Sequence, residues 1–364
     1  LYESLDTVSR ELVGAIPTAT FNAQASSASI GQELRIPVTT VATVEDGGAS
    51  DSEPSSNTNN LEKVSVTLDK WRTTKVTWTG EEQNSLGALT SPIMRDQYTQ
   101  AIRSLVNEME ADCCNALLGG AVASGNIITT INPFASDLSD LTKARKILTD
   151  NGSPITDLNF VMNTQAGMNL RNLTQLQKVN EGGENTLLRQ GVLGNLFGFN
   201  LRESAGFATH TAGSASGFLV NGDVAKGETV IAIDTGTGTF KAGDLVHFGE
   251  DVTHKYVVKE SGATYLKLAN ELVKDVDDNS AVNVTSSYSG SVGFNRGGLL
   301  LATRVPYVPQ GGDGAVDRTY ITDPMTGITL EVAVWGKAYK NTMTFSAVWG
   351  TKNIKGEHSV ALIA

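Results

Sequence analysis

Residue types that carry chemistry are sparse in this chain. Two cysteines stand side by side, Cys113 and Cys114. Such a pair could hold a soft metal or cycle a redox couple, but no second cysteine pair or nearby histidine completes a ligand set. Adjacent cysteines rarely bond to each other, because the linking peptide is strained and their side chains diverge on a helix. Cys113 also continues an apolar helical stripe, so a small buried side chain is its expected role. Four histidines occur, His210, His247, His254 and His358. Only His247 and His254 are close together, near Asp244, Glu250 and Asp251, and their spacing matches no recurrent metal motif. The acidic run DVDDNS at 275–280 starts like a calcium loop but lacks its glycine and closing glutamate. The glycines at 191–198 form neither a GxxxxGK[ST] nor a GxGxxG cradle, which leaves turn chemistry. No GxSxG, HExxH or kinase-type set is present. We therefore expect no enzyme, no metal centre and no cofactor.

One mixed cluster remains. Lys63, Lys70, Arg72 and Lys75 interleave with Trp71 and Trp78, a combination that can bind single-stranded nucleic acid. Glu62, Asp69, Glu81 and Glu82 interrupt it, so a mixed-charge strand surface meeting a neighbouring subunit is the better reading. The whole-chain balance agrees. Lys plus Arg number 28 and Asp plus Glu 39, a net charge of −11, which opposes general phosphate binding.

The elements that position these residues can be read from periodicity. At 364 residues the chain is long enough for about two domains or slightly more. Only 18% of residues are charged and 40% are hydrophobic, which argues against wholesale disorder. With two adjacent cysteines, a disulfide-stapled secreted domain is excluded and a reducing compartment is expected. No apolar run reaches the ~18 residues of a membrane span, and no secretory signal opens the chain. It starts at Leu1 rather than Met, which leaves room for a preceding piece.

Residues 1–16 read as a helix stopped by Pro17, and 18–31 as an extended arm. Leu34, Ile36 and Val38 alternate, as do Val64, Val66 and Leu68, with Trp71, Val76 and Trp78 continuing the pattern. Between them lies a polar tract at 46–60. This predicts a long β-hairpin that finds its cover on other molecules. Met94, Tyr98, Ile102, Leu105, Met109, Cys113 and Ala116 recur at steps of three and four, predicting a helix over 91–118, about 40 Å long, ended by Gly119-Gly120. Its opposite face carries Arg95, Asp96, Arg103, Glu108, Glu110 and Asp112. Alternating helix and strand signals over 136–203 suggest a mixed domain. Residues 211–290 show short strands at roughly ten-residue spacing, the pattern of a small inserted β-barrel. The apolar segment after residue 298 resumes the interrupted domain, and the tail is again β.

The order of these parts, with NRGGLLLATRVP (295–306), TDPMTGITLEV (322–332), WGTKNIKGEHSVALI (349–363) and TFKAGDLVHF (239–248), resembles the major capsid proteins of tailed double-stranded DNA bacteriophages. Among these it resembles the coat-protein family of short-tailed Salmonella phages, which carries an inserted β-barrel. The resemblance implies an α+β, Hong Kong 97-like fold. An N-terminal arm would span 1–30 and an extended loop 31–80. A peripheral domain would take 81–135 and 318–350, with its spine helix at 91–118. An axial domain would take 136–213, 288–317 and 351–364, and an insertion domain 214–287. It further implies a structural protein assembling through pentamers and hexamers around packaged DNA, without sequence-specific contact or membrane. Scaffolding, portal and decoration proteins would be its partners. The virion would be its destination, and the host cytoplasm its place of assembly. Inter-subunit contacts are expected from Lys70, Trp71, Arg72, Lys75, Trp78, Arg95, Asp96 and Arg103. The competing expectation is a β-rich binding module, such as a surface adhesin or a capsid decoration protein.

Overall fold

The computed structural model describes residues 14–39, 61–87, 90–130, 132–177, 194–252, 254–285, 287–323 and 327–363. Most of the helix expected over 1–16, and the polar tract at 46–60, lie outside them.

The strongest periodic stretch forms a helix from Thr90 to Ala123, about 50 Å long at 1.5 Å per residue. It runs straight through Gly119-Gly120, where the sequence pattern predicts a stop. Packing is the reason. A Cβ on Gly120 would lie 2.3 Å from the Asn353 side chain, so the glycine admits a neighbouring strand. Beyond it, Ala121 and Val122 are buried, and tertiary contact outweighs glycine's weak helix propensity. The chain leaves the helix at Gly125, whose φ of 71° is left-handed.

Two sheets pack on this helix. In the first, the fourteen-residue strand β19 (Lys340–Asn353) is central. It pairs with β18 (Thr329–Lys337), β16 (Leu299–Arg304) and β4 (Lys70–Thr79), while β17 (Asp317–Thr322) extends β18 and β1 (Thr20–Phe21) lies parallel to β16. Phe345, Ala347 and Trp349 join Ile102, Leu105, Met109 and Cys113 in the main core. The second sheet runs in the order β5 (Ile127–Thr129), β20 (Ser359–Ile363), β15 (Gly290–Asn295), β6 (Leu158–Met162), β8 (Phe199–Glu203), β7 (Asn195–Leu196). Its central strands are buried on both faces, and their two-residue period divides two cores. Val161, Val292, Phe294 and Ala361 face the long helix. Leu158, Phe160, Met162 and Leu362 face the helices Ser139–Asp150 and Thr164–Asn172.

Between β8 and β15 the chain forms a closed barrel. Its strands are β9 (Phe218–Val220), β10 (Val230–Asp234), β11 (Leu245–Phe248), β12 (Tyr256–Ser261), β13 (Tyr265–Leu268) and β14 (Ala281–Val284). They enclose a core of their own. The inserted all-β barrel expected from the sequence is thus present, within an α+β chain.

Three expectations need correction. Residues 70–79 do not continue the hairpin. The hairpin is β2 (Glu33–Thr39) with β3 (Leu61–Thr67), and the chain turns at Leu68 and Asp69 to place β4 on β19. Alternation continues across that turn, so periodicity alone does not reveal it. Residues 299–304 do not return to the α/β sheet; that sheet receives β15, and β16 crosses to β19. Finally, the root of the hairpin is covered by its own molecule. Leu34, Val66 and Leu68 cluster with Ala25, Ala28, Leu300, Ala302 and Val348.

Gly350 makes that last contact possible, because a Cβ there would sit 1.9 Å from the Thr67 carbonyl oxygen. Backbone cannot yield as a side-chain tip can. Gly350→Ala should therefore lower stability by about 1–3 kcal/mol, read as an earlier denaturation midpoint. Gly80→Ala, with nothing within 4 Å, should leave the midpoint unchanged.

Candidate subunit interface

The expected contact residues lie on β4 and on the stretch of the long helix beside it; side chains alternate along the strand, so Lys70, Arg72 and Trp78 share one side of it and Trp71 and Lys75 the other. Alternate residues of a strand advance about 6.7 Å, and residues four apart on a helix about 6 Å. Lys70 and Arg72 therefore match Glu108 and Asp112. Lys70 Nζ lies 2.6 Å from Asp112 Oδ1 and 3.7 Å from Glu108, and Arg72 Nε lies 2.8 Å from Glu108 Oε1. The Glu108 hydrogen bond pushes the Arg72 guanidinium further above its usual value. Asp112 also accepts the indole N–H of buried Trp349 at 2.8 Å, and its carbonyl accepts the Thr351 hydroxyl at 3.3 Å. Lys70 and Arg72 thus pair with the long helix of their own chain. Trp78 is buried, with 7% exposure, whereas Trp71 is 54% exposed and Lys75 is exposed. Arg95 and Asp96 lie 3.6 Å apart on the exposed side of the helix, and Arg103 is half-buried further along it.

Beyond β4 the surface is concave. A groove of about 780 Å³ runs between the strand and the helix, lined by Val76, Ile93, Gln97 and Gln100 among others. A second of about 580 Å³ continues it past Trp78 and Leu86. Among the described residues β4 pairs with β19 alone, so its other edge holds no strand. Thr79 caps the short helix Gly80–Leu86 at the groove's end, accepting from Glu82 N while the Glu82 carboxyl accepts from Thr79 N. Those bonds hold the Glu82 carboxyl below its usual range.

A second constellation, missed by the sequence reading, joins the barrel to the body. Asp244 is fully buried and accepts from Gly213 N at 3.1 Å and Lys241 N at 2.8 Å; it also bonds His210 Nε2 at 2.9 Å. The His210 ring stacks on Tyr288 at 4.9 Å, and the two residues bridge the strands entering and leaving the barrel. The Tyr288 hydroxyl donates to Gly243 O at 2.9 Å. The signal available in sequence was the Gly243-Asp244 turn, which reads as a turn and nothing more.

The remaining candidates have local roles. His254 Nδ1 meets Asp251 at 2.9 Å, and burial together with Lys255 lowers the His247 imidazole below its usual value. In the DVDDNS run, Asp275 accepts Lys226 N at 2.7 Å and Asp278 accepts Gly222 N at 2.6 Å, closing barrel turns. Both cysteines are buried beside the acidic side of the helix, and burial raises both thiols well above their usual value. Among the described residues no group of three His, Cys, Asp or Glu is placed to hold a metal.

These contacts set two expected outcomes. Asp112→Ala strands a buried indole N–H and should cost about 1–3 kcal/mol, whereas Arg72→Ala removes an exposed, solvent-screened pair and should leave the midpoint almost where it was; chemical denaturation separates them. Burial, and then the Asp244 charge, push the Tyr288 phenol up to about 12 from 10.0. The unfolded chain loses that proton first, so the phenol's contribution is complete below pH 10 and is lost as pH rises through that window. Absorbance near 295 nm should show a last tyrosine ionising near pH 12, absent in Tyr288→Phe.

No protein-family model matches the sequence, and no curated protein matches it. The fold does have counterparts among solved structures. A chain of Mycobacterium phage Che8 superposes with a TM-score of 0.51 at 13% identity, over 95% of this chain and 89% of its own. A chain from the capsid structure of the cyanophage P-SCSP1u superposes with a TM-score of 0.51 at 10% identity, over 95% and 86%. At such identities the likeness is one of fold: this polypeptide folds as the cyanophage capsid chain does.

Proposed function

We propose that this chain is the major capsid protein of a tailed double-stranded DNA bacteriophage, of the Hong Kong 97 type, assembling through pentamers and hexamers into an icosahedral shell around packaged DNA. The likeness of fold to phage chains over nearly the whole polypeptide carries this reading. In it, the first thirty residues are the arm and the hairpin is the extended loop. The long helix and the β19 sheet form the peripheral domain, the α/β sheet the axial domain and the barrel the insertion domain. Trp71, Lys75, Arg95 and Asp96 present exposed side chains and are the proposed first contacts to a neighbour. Lys70, Arg72 and Trp78 share the other side of the strand, where Arg72 is also exposed, and Arg103 lies on the long helix.

Physical arguments support the reading. A shell joins many copies through modest contacts, since multivalency supplies the stability and weak contacts let errors dissolve. Open strand edges and a groove provide such contacts without exposing a core. A net charge of −11 suits a wall that encloses DNA without gripping it. The proposed partners are further copies, then scaffolding and portal proteins during assembly in the host cytoplasm, and a decoration protein on the finished virion.

Negative-stain microscopy and sedimentation test this directly. Closed shells or hexamer-sized rings are expected, with scaffolding protein if not alone. A chain that stays monomeric under both conditions overturns the proposal in favour of a binding module.

A further inference from the structure

The polar face expected for the long helix contains one residue that is not on the surface. Glu110 is 2% exposed, unlike Asp96, Glu108 and Asp112. Its two carboxyl oxygens accept three successive main-chain N–H groups from the N-terminal arm, those of Gly14 at 2.8 Å, Ala15 at 2.7 Å and Ile16 at 3.0 Å. The Cys114 thiol, one turn along, lies 3.8 Å from Oε1 and 3.5 Å from the Ser204 hydroxyl. No lysine or arginine is among the partners described for Glu110. The arm is threaded through a slot: a Cβ on Gly14 would lie 2.7 Å from the Glu203 carbonyl, and one on Gly206 3.1 Å from Ala111 N.

Apolar anchoring at this point is slight. Of Ala15, Ile16 and Ala19 in the main core, only Ile16 is larger than alanine. Beyond them, Thr20 and Phe21 make a two-residue parallel pairing with Leu300 and Leu301. A carboxyl anchor and an apolar one differ after release. Water can satisfy the carboxyl oxygens once the amides leave, whereas an exposed apolar group gains nothing. A segment with a small apolar footprint and a hydratable anchor opens as a unit of its own.

We infer that Glu110 is the latch of the N-terminal arm: residues 14–21 dock and release separately from the rest of the fold, and release uncovers the β16 edge that β1 covers. The latch belongs to the single chain and does not depend on shell formation.

Native-state hydrogen exchange of the full chain, in rising sub-denaturing denaturant, tests it. The amides of Gly14, Ala15 and Ile16 are expected to exchange about tenfold or more faster than those of Leu105, Met109 and Leu117. Glu110→Gln keeps the volume but turns one acceptor into a donor facing N–H groups. It should speed exchange at the three arm amides by a further factor of about ten or more and leave the helix amides unchanged. The latch is refuted if, in the unsubstituted protein, the arm amides exchange only together with the helix. It is equally refuted if Glu110→Gln accelerates both sets alike. Should that variant not fold, the measurement on the unsubstituted chain decides alone.

Discussion

The long helix must be buried on opposite sides at once, and the rest of the fold answers that demand. Adjacent pairs along it, Cys113 with Cys114, Leu117 with Leu118, Ala121 with Val122, are all buried. Neighbouring helix residues point about 100° apart, so these pairs widen the buried arc beyond the stripe of a helix that packs on one side only. The covering elements come from the whole length of the polypeptide. Ala15 and Ile16 arrive from the arm, Val161 and Phe294 from the α/β sheet, Phe345 and Trp349 from β19, and Leu245 and Val257 from the barrel. The core is therefore built almost entirely from contacts distant in sequence. Such a core closes late in folding and holds the separate units in one arrangement.

Apolar burial alone would not specify how these units meet. Carboxyl groups sit at three of the crossings: Glu110 where the arm passes, Asp112 where β4 and β19 lie over the helix, and Asp244 where the chain enters the barrel. Each gathers several donors from segments far apart in sequence. A segment misplaced so that it still shuts out water would leave these acceptors unsatisfied at considerable cost, whereas a correctly placed one gains little beyond what water offered. Their contribution is thus to geometry more than to stability. Close-approach glycines act in the same sense, since Gly350 lets the hairpin root cross β19 and Gly120 lets Asn353 reach the helix.

Much of this was legible in the amino-acid sequence, and the failures share a cause. The barrel was readable because each short strand is bounded by its own turn residues, so local signals suffice. The long helix was readable from its stripe, although its end was not, because Gly119-Gly120 is a stop only where nothing packs against it. Strand membership was not readable. Leu299 to Ala302 are all apolar, which suits either sheet, and the alternation of β3 continues into β4 across a turn at Leu68 and Asp69. Partner choice between strands depends on long-range packing, which periodicity does not encode. At the candidate interface the charges are visible in the sequence and their partners within the chain are not. Lys70 and Arg72 invite an external acid, and the matching Glu108 and Asp112 pitch emerges only once strand and helix are known to be neighbours. Glu110 reads as one more member of the polar face, because the arm that covers it leaves no periodic trace.

Cover is unevenly distributed over the strand edges. The β1 strand shields the β16 edge, while the outer edges of β4 and β17 carry no strand among the described residues. Open edges of this kind invite indiscriminate pairing unless charge or shape restrains it. Here the device is charge. Glu33, Arg35 and Lys63 stand exposed on the hairpin, Lys75 on β4, and Arg318 of β17 is tied to Asp313 and Glu331. A partner must therefore bring complementary charges and an extended segment together, which a random strand does not. For a protein proposed to join identical copies, that requirement would be the useful one: each edge would resist random strands and accept only a surface of the right pattern.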